Sequence, residues 1–143
     1  MFARVHTPRT ARLSRLRTRI DPIAAAWGGL VGAIGLMAGA GRDWPARLVI
    51  GALAFGLAGF LSGVRSIGRR PAHAVAAWLA AHLIHAGFIA LANLVDLLGG
   101  PSAPPLLAGG LARWTIAAIW TLACALIGAL LAHRWLTPPL RHH

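Results

Sequence analysis

Residues 78–96 read WLAAHLIHAGFIALANLVD, and inside this apolar run stand two imidazoles, a carboxamide and a carboxylate: His82, His85, Asn93 and Asp96. At about 100° per residue these four fall within a helical arc of about 80°, an arc they share with Trp78 and Ile89. The remaining positions are almost all apolar. A polar side chain in mid-membrane has no water to bind and must find a partner or a cavity, so this face is expected to point inward. Three chemistries suit it. Neutral His82 and His85 can hydrogen-bond to Thr115, Thr121 or a backbone carbonyl and fix the register of neighbouring helices. An imidazole nitrogen can ligate haem iron, a chlorophyll-type magnesium or a transition metal. A chain of His82, His85, Asn93 and Asp96 can also conduct protons or small ions, because histidine titrates near neutrality.

Spacing ranks these readings. Two histidines three residues apart on one helix cannot sit on opposite sides of a haem plane, and His73 and His133 lie at span ends, so mid-membrane bis-histidine ligation needs a dimer. Metal transport would call for more carboxylates or thiols than Asp96 and Cys124 supply. Conduction is hindered because Asp96 lies about 16 Å along the helix axis from His85, with Thr115, Thr121 and Cys124 as the only polar partners in the next span. The structural role is preferred, and neither cofactor nor metal is expected. No HExxH, glycine-rich phosphate loop or CxxC occurs, and no nucleophile shares a depth with both a histidine and a carboxylate, so an enzyme is not expected.

The solvent that surrounds this face follows from composition. With 57% hydrophobic and 12% charged residues, the 143-residue chain has too little polar material to cover a soluble globule. Four runs, at about 22–41, 46–64, 72–98 and 111–132, approach or exceed the roughly 20 residues that cross a bilayer core. The breaks between them are rich in glycine and proline. The runs do not alternate apolar with polar, which argues against a barrel. The expected fold is therefore all-α: a polytopic four-helix transmembrane bundle over 22–136, with a basic tail over 1–21 and a short tail over 137–143.

Orientation follows from arginine. All 14 basic residues are arginines, and eleven of them lie in the N-terminal tail, the 65–71 loop and the C-terminus. Only Arg42, Arg47 and Arg113 fall elsewhere. By the positive-inside rule both termini are expected in the cytoplasm, in a multi-pass protein of a bacterial inner membrane. Arg12, Arg15, Arg17, Arg19, Arg69 and Arg70 are the expected contacts to anionic lipid headgroups, the first four on a stretch whose Leu13, Leu16 and Ile20 suit an interfacial helix. Trp27, Trp44, Trp114 and Trp135 lie near span ends, as an aromatic belt would have them. No nucleic-acid-binding signature accompanies the positive charge, so nucleic acid is not an expected partner. A basic start, an apolar run and Ala38-Gly39-Ala40 share features of a secretory signal peptide, but the length of both regions favours a retained span.

Small residues recur at four-residue spacing in three of the runs: Gly28/Gly32 and Gly35/Gly39, Ala52/Gly56 and Gly59/Gly63, and Ala125/Ala129 and Gly128/Ala132. Lipid tails are as apolar as leucine, so helices in a bilayer associate by the close approach that such strips allow. Packing within the bundle, against a second copy or against a protein partner is expected there.

Residues 56–79, GLAGFLSGVRSIGRRPAHAVAAWL, resemble the glycine-rich helix end, arginine turn and His/Ala helix start of the YrzE-like small bacterial four-helix membrane proteins. That resemblance implies the same topology and no assigned activity. WGGLVGAIG followed by GALAFGLAGFL also has the look of the small fluoride-channel proteins, but the asparagine of that family's second span has no counterpart in Ala52-Leu53-Ala54-Phe55-Gly56. The expected function is that of a non-enzymatic accessory or assembly component. A small channel or transporter, or a haem or pigment carrier, is the alternative.

Overall fold

The computed structural model describes residues 20–65, 69–98 and 110–136. Arg12, Arg15, Arg17 and Arg19, the stretch expected to be interfacial apart from Ile20, and the 137–143 tail lie outside the described residues. Those described form four helices: α1 Pro22–Gly39, α2 Trp44–Arg65, α3 Arg70–Leu97 and α4 Gly110–Leu136. All four are long and apolar enough to cross a membrane, as a multi-pass protein requires.

Local chemistry sets the helix ends. Asp21 caps α1 through its Oδ1, which accepts from the Ile23 N–H at 2.9 Å, and Pro22 starts the helix where a missing N–H costs nothing. The α1–α2 turn is closed by Ala40 N–H to Met37 O and by Arg42 N–H to Gly39 O. It passes through Gly41 at φ 76, a backbone state that a side chain would strain.

In cross-section the bundle is a rhombus. Helices α2 and α3 form its short diagonal and each packs on all the others, whereas α1 and α4 make no contact among the described residues. The α2–α4 pair is the most extensive, and α3 packs more loosely on α4 than on α1.

Along its length the bundle divides in two. In the half nearer the α2–α3 connection, small residues meet. A Cβ placed on Gly28 would lie 2.7 Å from Ala77 Cβ and 2.9 Å from Ala58 O, and one on Gly29 would lie 2.6 Å from Ala80 Cβ. On the other side of α2, a Cβ on Gly59 would overlap the Ala125 carbonyl, and one on Gly128 the Gly56 carbonyl. Gly63 meets Ala129 and Ala132. The Gly28/Gly32, Gly56, Gly59/Gly63 and Gly128 positions thus face other helices of the same chain. Gly35 and Gly39 face Ala54 and Arg47 of α2.

Candidate functional site

Between Phe55 and the α1–α2 turn the helices carry larger side chains and enclose a partly open cavity of about 380 Å³, although α1 and α2 still meet closely there at Gly35 and Ala54. His82 and Thr121 line its inner end, and Phe55 and Trp78 pack against the His82 ring. Phe55 is fully buried, and Trp78 Nε1 donates to Thr121 Oγ1 across α3 and α4 at 3.1 Å. The Thr121 hydroxyl in turn donates to carbonyls of its own helix, at 2.9 Å to Ala117 and 3.0 Å to Ala118.

His82 stands on this floor and is half-buried. Its ring centroid lies 4.5 Å from that of Trp78, 5.5 Å from that of Phe55 and 6.3 Å from that of Trp114, the last edge-on. Its Nδ1–H donates to the Trp78 carbonyl at 2.9 Å. That bond assigns the proton to Nδ1 in the neutral ring and leaves Nε2 with a lone pair. His85 lines the cavity one turn farther out and makes no hydrogen bond among the described residues. Thr115 is exposed and does not line the cavity, and its hydroxyl donates to Leu111 O at 2.9 Å.

The four polar residues of α3 are not brought to one place. His82 and His85 line the cavity, while Asn93 and Asp96 are exposed and lie outside its wall, which ends on α3 at Ala92. For Asp96 the reason is distance along the axis: it lies four residues, about 6 Å, beyond Ala92. Asn93 follows Ala92 directly, so its exclusion is one of direction: the two are turned about 100° apart and the cavity wall takes Ala92. A shared arc of about 80° is too wide to put every member of it on one wall.

The outer wall holds residues that act there for reasons sequence position does not display. Trp44, Trp114 and Trp120 line it, together with Arg47 and Arg113. Trp120 Nε1 donates to Leu48 O at 3.0 Å and ties α4 to α2. Arg47 Nε donates to Gly39 O at 3.3 Å, and the Arg113 guanidinium carbon lies 5.9 Å from the centroid of a Trp44 ring. Neither guanidinium pairs with a carboxylate among the described residues, and no acid lines the cavity. Of the three cavity tryptophans, Trp44 and Trp114 read in sequence as belt residues and Trp120 carries no signal of its own. Their convergence depends on α4 meeting α2.

At the opposite end His73 is 2% exposed. The Asp21 N–H donates to its Nε2 at 2.8 Å, and its Nδ1–H donates to Arg69 O at 2.9 Å, so a neutral ring joins the starts of α1 and α3. Arg70 Nη1 donates to His133 Nδ1 at 2.6 Å and joins the start of α3 to the end of α4. Of the arginines expected at headgroups, Arg69 is exposed and Arg70 half-buried. No group of three or more histidine, cysteine or acidic side chains could hold a metal ion among the described residues. Compared with protein-family models, with curated proteins and with solved structures, the chain matches none.

Proposed function

We propose that this chain is a non-enzymatic accessory protein of a bacterial inner membrane, with both ends cytoplasmic, that holds a small amphipathic molecule in its one-sided cavity. The observation that carries this reading is the placement of His82, His85 and three indoles around one cavity inside an otherwise alanine- and glycine-packed bundle. Apolar walls with a few convergent polar groups are the usual make-up of a small-molecule site. The fully buried Phe55 and the Trp78–Thr121 bond pack beside His82 at the inner end of the cavity, which supports binding over conduction. Because the glycine strips turn toward neighbouring helices of the same chain, an assembly partner or a second copy would meet the outer apolar faces instead.

Mass analysis of the organic extract of detergent-purified protein tests the proposal. An equimolar guest is expected, and it should be lost when Ala117→Phe fills the cavity. Protein that carries nothing, or a guest indifferent to Ala117→Phe, overturns the reading.

One observation favours a second reading, a haem or chlorin ligand. Metal-ligating histidines commonly donate their other ring N–H to a carbonyl, and His82 does so toward Trp78 while its Nε2 stays available. A Soret or chlorin band that vanishes in His82→Leu would establish it. A purified protein without such absorption removes it.

A further inference from the structure

Two of the three arginines that the positive-inside rule assigns to the non-cytoplasmic side, Arg47 and Arg113, line the same cavity. Arginine is disfavoured on that side, so its concentration here calls for a local use. Each guanidinium is held by a contact that leaves its charge uncompensated: Arg47 through Nε to a backbone carbonyl, Arg113 over the Trp44 ring. Asp43 and Asp96 are exposed and do not line the cavity. Helix dipoles do not decide the sign of the site, since α1 and α3 end at this face and α2 and α4 begin there. The arginines do. A guanidinium presents its donors in a planar fork matched to phosphate or carboxylate oxygens, and such charge-assisted bonds are about twice as strong as neutral ones.

Below the arginines the wall turns apolar, through Trp114, Phe88 and Ile89, toward the half-buried imidazoles. Cationic mouth and apolar depth together define an amphiphile with an anionic head. Resting on the binding reading above, we propose that the occupant is an anionic phospholipid of the non-cytoplasmic leaflet, its phosphate between Arg47 and Arg113 and part of an acyl chain in the cavity. This contact lies at the opposite end of the bundle from Arg69 and Arg70. It would act as a specific lipid site and not as general attraction to a charged surface.

The test is native mass spectrometry of the full chain in detergent, titrated separately with phosphatidylglycerol and phosphatidylcholine. Wild type should prefer phosphatidylglycerol by about tenfold, because both lipids offer the same phosphodiester but the choline ammonium of phosphatidylcholine brings a positive charge beside the two guanidiniums. The preference should fall to near unity in Arg47→Gln/Arg113→Gln and persist in Arg113→Lys, which keeps the charge. Equal binding of the two lipids by wild type overturns the proposal, as does a preference that survives in the double glutamine variant. Displacement of phosphatidylglycerol by inorganic phosphate would make this a site for the free anion and would also overturn the lipid assignment. Ala117→Phe separates the two levels. If it lowers occupancy while the arginine variants change nothing, only the charge argument fails; if it leaves both lipids bound as before, the cavity itself is not the site.

Discussion

The two halves of the bundle use opposite means to place the same four helices side by side. Between Gly28 and Gly32 on α1, and along Phe55–Gly63, Ala74–Ala81 and Ala125–Ala132 on the others, backbones come so close that a single added methyl would meet a neighbour. From Phe55 to the α1–α2 turn, large aromatic side chains of α3 and α4 enclose space, while α1 and α2 stay close through Gly35 and Ala54. Without a hydrophobic drive between helices, dispersion across close backbones is a main source of cohesion in a bilayer. The small-residue half therefore carries stability, and the aromatic half is released from that task. A cavity is tolerable in one half because the other is so tightly packed.

This division can be broken by substitution, and the largest effect is expected at the α2–α4 contact. Gly59→Ala or Gly128→Ala sets a methyl against a backbone carbonyl that cannot move alone. Overpacking of this kind should lower stability by about 2–3 kcal/mol. Unfolding of the detergent-solubilised protein would measure the loss, with Gly87→Ala as control because a Cβ there meets nothing within 4 Å. Equal losses at Gly87 and Gly128 would erase the distinction between the halves.

His73→Phe comes next. It keeps a ring at a buried position but leaves the Asp21 N–H without its acceptor, which should cost about 1–2 kcal/mol. Hydrogen exchange at the start of α1 would locate that loss, and an unchanged protection pattern there would show that the imidazole bond contributes little.

His85→Leu should have the smallest effect on stability, within about 0.5 kcal/mol, because His85 lines open space and gives up no hydrogen bond. The same unfolding measurement checks it. A loss above 1 kcal/mol, a threshold set at about the worth of one intramembrane hydrogen bond, would place His85 in the load-carrying half after all.

Much of this architecture is legible in the chain itself, because membrane helices announce themselves by composition and length. The four runs match the helices to within a few residues; α4 continues past residue 132 through His133 and Arg134 to Leu136. Helical periodicity likewise puts His82 and His85 on a common face. What it cannot supply is where the cavity wall ends, and Asn93 and Asp96 share the arc of the histidines while lying outside that wall. Thr121 is a reasonable partner for a histidine on sequence grounds, yet the Trp78 indole reaches it first. Arg47 and Arg113 are 66 positions apart by their numbers and read as scattered loop charges. Only the docking of α4 against α2 gives them a common site. His73 is hidden for a similar reason, since its acceptor role depends on the start of α1 arriving beside it.

The rhombic cross-section has one more implication. With α1 and α4 out of contact, each outer helix answers only to the central pair. Substitutions at Gly29 and at Gly128 touch no common atom, and distant sites of this kind combine by simple addition. Either flank can then be altered without a compensating change in the other, while a substitution on α2 or α3 is felt by every neighbour.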